Sequence, residues 1–343
     1  MRKRATTTLI VMAMAGWLGG CGGGQPSTPA ATPAPTRPAG MKIALIAKSA
    51  TNPVFTSARK GAEAAAKELA QKNSVPIEIV WMTPETEDGQ VQAQRIAQAV
   101  KDGASAILIS CSDADKVTGA INEAVDRGVP VMTFDSDAAE SKRFAFYGVD
   151  DEKLGRAVMR ELAVQMNKKG SVAILAGNAA APNLRKRVDG VKNEAALNPG
   201  ITIVGTFNHA ETARDAAEEV IRAQSATPQI QVWAMIGGWA LLTPRLMKEL
   251  DPQKVTVVAV NALPAQLAFV ESGLAPVLLA LPTYNWGYVS VQRIVDKVHL
   301  KQDVPTVIPP MEAVRVTKDN LGTWARQMKT WGASVPDHYL KLK

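Results

Sequence analysis

Residues 41–55 read MKIALIAKSATNPVF, and this stretch decides the fold. Its first seven residues form a nearly continuous apolar run, which is typical of a strand buried on both faces of a sheet. Asn52 and Pro53 then supply a helix cap and a proline suited to the first helical turn. The stretch therefore predicts a strand, a short loop and a helix in direct succession. The helix would bury one face, formed by Phe55, Ala58, Ala62, Ala65 and Leu69.

The same strand and helix unit recurs along the rest of the chain. Further strand runs are predicted at residues 77–81, 106–110, 130–134, 144–149, 171–176, 201–207, 230–236, 256–260 and 276–281. Helical patterns alternate with them, and alternation of this kind indicates parallel sheets with helices on both faces. About ten strands favour two sheets over one. The predicted fold class is α/β, with two doubly wound parallel-sheet lobes.

The first 21 residues predict a secretory signal segment. A basic start at residues 2–4 leads into an apolar stretch at residues 9–18, which is too short to span a bilayer comfortably. The sequence LGGC at residues 18–21 resembles the lipobox of bacterial lipoproteins, in which the cysteine receives the lipid and becomes the new N-terminus. Cys21 is therefore the expected lipidation site, and the alternative is an ordinary cysteine in a flexible leader.

Residues 22–40 are almost wholly Gly, Pro, Ala, Ser and Thr. Such a composition cannot offset the entropy of folding and suits a tether between a membrane and a folded domain. We therefore expect the protein to be exported and lipid-anchored to the bacterial membrane, facing the periplasm or the cell exterior.

Charge, cysteine and histidine content exclude several classes of function. The formal net charge is +7, and losing three basic residues with the signal segment leaves +4, which is too mild and dispersed to indicate nucleic-acid binding. Cys111 is the only cysteine after Cys21, so the mature chain can form no intramolecular disulfide. His209, His299 and His338 are far apart and none has a metal-ligand spacing from Cys111. We expect no metal and no cofactor.

Candidate site residues follow the predicted strands, because open sheets of this type bind ligands beyond the carboxyl ends of their strands. These positions are rich in polar groups and aromatic rings. They lie at residues 48–52, 110–113, 135–137, 177–187, 237–239, 261 and 281–284.

At these positions the chain resembles the periplasmic sugar-binding proteins of the type I fold, the group that contains the ribose-, galactose- and glucose-binding proteins. The resemblance runs from about residue 41 to about residue 332, and the order and spacing of its motifs make it specific. Its carriers are IAKS (46–49), NPVF (52–55), ILISCSD (107–113), GVPVMTFDSD (128–137), YGVD (147–150), RKR (185–187) and YNWGY (284–288).

The resemblance implies two lobes that close over one sugar and then dock on a membrane permease. Three crossovers would join the lobes, near Val149, Leu281 and Pro309. The first lobe would comprise residues 41–149 and 282–309, and the second lobe residues 150–281 and 310–343, including a C-terminal helix.

The resemblance also carries ligand contacts onto the chain one position at a time. The polar contacts fall on Asn52, Asp135, Arg187 (or Arg185) and Asn261. Phe55 is the aromatic neighbour of Asn52. Three departures make the implied pocket less polar than that of a ribose binder: Ser136 replaces an arginine of some relatives, Gly238 or Trp239 replaces an asparagine, and Leu281 replaces a glutamine.

The same residues suit sugar chemistry, because hydroxyls both donate and accept hydrogen bonds while the ring faces carry C–H groups. For Asp135 we favour a ligand contact, because a carboxylate directly after a buried strand is costly to desolvate without a partner. Asn52 has the alternative role of a helix cap, and Trp286 could simply pack in the core. The aromatic ligand contacts are predicted at Phe55, Trp239, Tyr284 and Trp286.

We therefore expect that the protein is the substrate-binding lipoprotein of an ABC importer. It would be a monomer that binds a small polar ligand, above all a monosaccharide, and that docks on a membrane permease. The chain lacks the Walker, G-x-S-x-G and G-x-G-x-x-G motifs of enzymes on doubly wound sheets. Sugar-responsive repressors share this fold but carry a helix-turn-helix head in place of the signal segment. A receptor that presents its ligand to a membrane sensor remains the alternative.

Overall fold

The computed structural model describes residues 40–342. The predicted signal segment, the lipidation site Cys21 and residues 22–39 of the predicted tether lie outside the described residues.

Eleven strands within the described residues form two separate sheets. The first sheet has five parallel strands in the order β2-β1-β3-β4-β5, and the second has six in the order β11-β10-β9-β8-β6-β7. The strands are β1 (Met41–Ile46), β2 (Ile77–Trp81), β3 (Ala106–Ile109), β4 (Val131–Phe134), β5 (Ala145–Tyr147), β6 (Gly170–Leu175), β7 (Ile201–Phe207), β8 (Val232–Met235), β9 (Thr256–Val260), β10 (Val277–Ala280) and β11 (Val314–Val316).

The helices alternate with these strands and cover the sheets. They are α1 (Pro53–Asn73), α2 (Gly89–Lys101), α3 (Ala114–Asp126), α4 (Asp151–Gln165), α5 (Pro182–Ala195), α6 (Ala213–Ala226), α7 (Pro244–Met247), α8 (Leu267–Ser272), α9 (Thr283–Val298), α10 (Leu321–Thr330) and α11 (Asp337–Leu340). None of the helices within residues 40–342 is both long and apolar enough to cross a bilayer. The predicted α/β fold class with two doubly wound parallel-sheet lobes is confirmed.

One strand was not predicted. β11 pairs with β10 in the antiparallel direction at the edge of the second sheet. It has only three residues, and Val314 and Arg315 are exposed. A short, exposed edge strand with a central arginine lacks the apolar run by which the ten other strands were recognised.

The chain passes between the two sheets three times, after β5, after β10 and before β11. The third passage runs beside the first, because the backbone N–H of Ile308 donates to the Phe146 carbonyl (3.0 Å) and that of Met311 donates to the Gly148 carbonyl (2.9 Å). Three connections of this kind fit the implied crossovers. The lobe boundaries at residues 149, 281 and 309 stay a prediction.

The crossing of α1 and α9 brings two candidate residues together. The helices touch backbone to backbone, since a Cβ on Gly61 would overlap the carbonyl oxygen of Tyr284 and a Cβ on Gly287 would overlap that of Ala58. This close approach places Phe55, near the start of α1, against Trp286 of α9, with ring centroids 6.3 Å apart. α9 follows the second sheet in sequence but completes the packing on the first.

Candidate functional site

A pocket lies where the carboxyl ends of the strands of both sheets face each other. We call it the polar pocket. Seven of the eight predicted ligand residues line it: Asn52, Phe55, Asp135, Arg187, Trp239, Asn261 and Trp286. The free space is only about 30 Å³, room for a few water molecules. Anything larger would enter only after the two walls move apart.

Asp135 is held at the end of β4 in a left-handed backbone conformation, with φ of 57°. A non-glycine residue adopts it at a cost of about 1 to 2 kcal/mol, so the surrounding contacts must maintain it. The Asp135 carboxylate accepts hydrogen bonds from Ser110 Oγ (2.8 Å) and Asn183 Nδ2 (3.2 Å). Ser110 belongs to the first lobe and Asn183 begins α5, so Asp135 links the two walls of the pocket.

Arg187 reaches the pocket from α5. Its Nε donates to Asp151 Oδ1 (2.7 Å) and its Nη1 to the Ile236 carbonyl (3.1 Å). Nη2 lies 3.8 Å from Asp135 Oδ1 and has no hydrogen-bond partner among residues 40–342. Gly155 on α4 permits this placement, since a Cβ there would overlap the backbone carbonyl of Arg187. Two of the guanidinium nitrogens are thus fixed by the protein, and the third is left for another acceptor.

Asp151 is the buried counter-ion of Arg187. Burial raises the pKa of Asp151 to about 6, against the opposing effect of the Arg187 guanidinium and with a further contribution from the Asp135 carboxylate. Near pH 6 the Asp151 carboxyl is therefore partly protonated, and it neutralises the charge of the Arg187 guanidinium only in part. Arg185, the alternative arginine, lies outside the pocket, where its exposed side chain donates to the carbonyls of Ala179 and Ala180.

A buried cation bridges the two walls of the polar pocket. Lys48 follows β1, and its ammonium lies 3.3 Å from Glu211 Oε2 of the second lobe and 3.4 Å from Glu87 Oε2 of the first lobe. Burial by itself would lower the pKa of Lys48, but the two carboxylates together hold it above its ordinary value. Lys48 is therefore a permanent positive charge inside the cleft.

The two carboxylates around Lys48 differ in their environments. Burial opposes ionisation of Glu211, but Lys48 and the Asn178 backbone N–H outweigh it and lower the pKa of Glu211. Burial raises the pKa of Glu87 well above its usual range, and repulsion by Glu211 adds to that effect. Glu211 is therefore the more acidic of the two carboxyl groups, and its ion pair with Lys48 bridges the cleft.

The aromatic part of the pocket belongs mainly to the first lobe. Phe55, Phe134 and Trp286 form a triangle with ring centroids 6.2 to 6.4 Å apart. The Trp286 indole N–H is buried, and no residue in the described part of the chain accepts a hydrogen bond from it. Trp239 stands on the opposite side and meets His209 edge to face at 5.0 Å. Flat apolar surfaces therefore face the pocket from both walls.

Asn52 and Asn261 each combine a local and a pocket role. The Asn52 side chain caps α1 by accepting from the Val54 backbone N–H (3.2 Å), as its alternative role required, and it also lines the pocket. Asn261 follows β9 with φ of 77°, and its buried Oδ1 accepts no hydrogen bond from any residue that the structure describes.

Tyr284 is the one predicted ligand residue that does not line the polar pocket. Its ring stacks on Tyr288 (5.9 Å) and Trp331 (5.7 Å) instead. The reason is helical geometry: two residues along α9 turn a side chain by about 200°, so Tyr284 and Trp286 point in opposite directions.

The sequence analysis missed four polar residues that line the pocket: Lys48, Asn183, Glu211 and Gln266. Lys48 lay within the candidate stretch after β1 and carried a usable signal, because a lysine directly after a buried strand needs a partner. Asn183 lay within the candidate stretch after β6. Glu211 and Gln266 stand in connections outside every candidate stretch, and only tertiary packing brings them to the pocket. Across residues 40–342, no cluster of three or more His, Cys, Asp or Glu side chains could hold a metal ion.

Comparisons with known proteins agree with this geometry. A family model described as "Periplasmic binding protein domain" matches residues 43–301. The ribose import binding protein of Bacillus subtilis is 29% identical over 153 residues, which are 45% of this chain and 48% of that protein. The D-ribose/D-allose-binding protein of Pseudomonas aeruginosa is likewise 29% identical, over 160 residues, which are 44% of this chain and 49% of that protein. The chain thus spans about half the length of the curated relatives it matches.

A solved structure extends the likeness to the whole fold. A glucose-galactose binding protein from Geobacillus stearothermophilus superposes with a TM-score of 0.75 at 25% identity, over 82% of this chain and 99% of that one. With the matched family model covering most of the chain and the pocket formed between two doubly wound sheets, the chain belongs to the periplasmic binding protein family.

Proposed function

We propose that this protein is the extracytoplasmic substrate-binding component of an ABC importer and that it binds a monosaccharide in the polar pocket. In this role it would capture and release its ligand without converting it. The relatives support the ligand class, because the named proteins bind ribose, ribose or allose, and glucose or galactose.

One observation in this chain carries the proposal. Three buried polar atoms around the polar pocket have no hydrogen-bond partner within the described residues: Arg187 Nη2, Asn261 Oδ1 and Trp286 Nε1. Leaving such a group unsatisfied costs about 1 to 3 kcal/mol. Two donors and one acceptor on residues that line one pocket fit hydroxyl groups, each of which can donate and accept.

The charges of the pocket refine the expected ligand. Lys48 and Arg187 are opposed by Glu211, Asp135 and the partly protonated Asp151, so the buried charges largely cancel. A neutral ligand would enter without leaving an unpaired charge, and an anionic ligand would add one. Faces of Trp239 and Trp286 would cover the C–H surfaces of a sugar ring.

A thermal-shift screen of the protein against pentoses, hexoses, polyols, amino acids and nucleosides tests the ligand class. A ligand that binds only the folded state stabilises it by about 2.7 kcal/mol at a hundredfold excess over its Kd. We expect stabilisation by one or more monosaccharides. Stabilisation by amino acids alone would contradict the proposal, as would no response to any carbohydrate.

The membrane anchor is a separate part of the proposal and rests on the LGGC sequence at residues 18–21. Cys21→Ser should move the protein from the membrane fraction into the soluble fraction of its own host, since the lipid attachment point is lost. Equal membrane recovery of both forms would contradict the lipidation of Cys21.

A further inference from the structure

A second pocket lies beside the polar pocket and shares Asn261 and Leu263 with it. It encloses about 220 Å³ and is lined mainly by apolar atoms. Its remaining walls come from the start of α1, from the connection between β10 and α9, and from α10 with the segment after it. Because Trp324 and Trp331 form its aromatic wall, we call it the tryptophan pocket.

The aromatic wall is fixed by the protein itself. The Trp324 indole N–H donates to the Ala262 carbonyl at 2.7 Å. Trp331 meets Trp324 edge to face at 5.6 Å and stacks on Tyr284 at an interplanar angle of 6°. Lys60 of α1 donates to the Gly332 carbonyl (2.6 Å) and holds the segment after α10 against α1. The pocket is therefore preformed, which lowers the entropy cost of binding there.

Asn261 and Leu263 form the partition between the two pockets. Asn261 Oδ1 is buried and makes no hydrogen bond within the described residues, so its side chain can rotate without breaking one there. The polar pocket offers about 30 Å³ and the tryptophan pocket about 220 Å³. A ligand that shifts the side chains of Asn261 and Leu263 would connect a small polar space with a larger apolar one.

We propose that the tryptophan pocket is a second subsite of the same ligand site and that it receives an aromatic ring attached to the sugar, so that the protein prefers aryl glycosides. The inference rests on the proposed function, because the sugar would occupy the polar pocket. A cavity of roughly 150 Å³ lined by apolar side chains binds benzene, so this larger pocket has room for a six-membered ring. Offset or edge contacts with the two indoles would stabilise such a ring.

The walls of the two pockets come from different parts of the chain. Trp324 and Trp331 belong to α10 and its end, whereas the family match covers residues 43–301. The polar pocket is built from the matched residues, and the aromatic wall is added by the segment beyond them.

The experiment uses the full chain and isothermal titration calorimetry with D-ribose, D-allose, D-galactose and D-glucose, each compared with its methyl and phenyl glycosides. We expect at least one phenyl glycoside to bind roughly ten- to a hundredfold more tightly than its methyl counterpart, as follows from burying a phenyl ring.

Trp331→Ala should remove that preference. Ser57→Trp, which fills the pocket from the half-buried face of α1, should lower phenyl glycoside affinity to that of the methyl glycoside. Lys67→Trp, on the exposed face of the same helix, should preserve the preference.

The outcomes distinguish a failure of the second subsite from a failure of the proposed function. If the free sugars bind but phenyl and methyl glycosides bind equally, or the phenyl form binds more weakly, the second subsite is overturned and the proposed function stands. If no carbohydrate binds, both are overturned. Should Trp331→Ala fail to fold, Ser57→Trp decides, because it adds a side chain to a cavity and removes none from the core.

Discussion

The polar pocket and the tryptophan pocket share a wall but are built in opposite ways. In the polar pocket, buried charges from both lobes neutralise one another, as in the Lys48–Glu211 and Arg187–Asp135 pairs. In the tryptophan pocket, shape and apolar surface dominate, and Lys60 is the one ionisable side chain among the described residues that line it. Removing one partner of a buried ion pair costs several kcal/mol at once, whereas the free energy of apolar contacts changes gradually with the buried area. Substitutions should therefore have larger and more pH-dependent effects in the polar pocket.

The largest effect is expected from Lys48→Ala. It leaves Glu211 and Glu87 buried without their cation, and removing one partner of a buried pair typically costs about 3 to 5 kcal/mol. The free energy of unfolding, measured by urea denaturation, should fall by about that amount. The control is Lys142→Ala, which breaks an exposed pair with Asp126 and should cost less than about 1 kcal/mol. A loss for Lys48→Ala no greater than that of the control would show that the cleft admits water freely.

The next effect is a pH dependence that originates at Asp151. Its folded-state pKa is raised to about 6 from 3.8, so protonation favours the folded state. That stability is fully present below about pH 4 and is lost as the pH rises through about 6, by on the order of 2 to 3 kcal/mol. Asp151→Asn keeps an acceptor for Arg187 but cannot ionise. The stability difference between Asp151→Asn and the original protein should therefore change in the variant's favour between pH 4 and pH 7.

Unfolding free energies at pH 4, 5, 6 and 7 for both forms provide the measurement. Other carboxylates contribute to each curve separately, Glu87 in the same direction as Asp151 and Glu211 in the opposite one, but they cancel in the difference. Parallel curves would mean that Asp151 ionises in the folded protein as easily as in the unfolded chain.

A third test compares Asp135→Asn with Asp115→Asn. Asparagine tolerates the left-handed backbone of position 135 but loses the charge that would accept ligand hydroxyls. A charge-assisted hydrogen bond is worth about 1.5 to 3 kcal/mol, so affinity for the monosaccharide found by screening should fall roughly ten- to a hundredfold. Asp115 lies exposed in the first turn of α3 and should matter little. Equal titration curves for the two variants would remove Asp135 from the ligand site.

The sequence predicted the fold and one wall of the site better than the contacts across the cleft. β1 and the start of α1 follow from an apolar run and from a cap, both local patterns, and the structure has them at residues 41–46 and from residue 53. Glu211 could not be found in this way, because its partner Lys48 lies 163 residues away in the other lobe. Tyr284 was assigned to the ligand site because the motif around it was read without its helical period.

The smallest effect concerns Tyr284 and Trp286, two aromatic residues of α9 that the sequence analysis both assigned to the ligand site. Trp286 lines the polar pocket, and its indole N–H has no partner within residues 40–342, whereas Tyr284 stacks on Trp331 outside the pocket. Trp286→Phe keeps an aromatic ring beside Phe55 but removes that donor, and a neutral hydrogen bond contributes about 0.5 to 1.5 kcal/mol. Monosaccharide affinity should therefore fall roughly two- to tenfold. Tyr284→Phe keeps its stacking and should leave the affinity unchanged, so calorimetry of the two variants with one sugar shows which face of α9 the ligand meets. A reversed order, with Tyr284→Phe the weaker binder, would contradict the placement of the sugar beside Trp286.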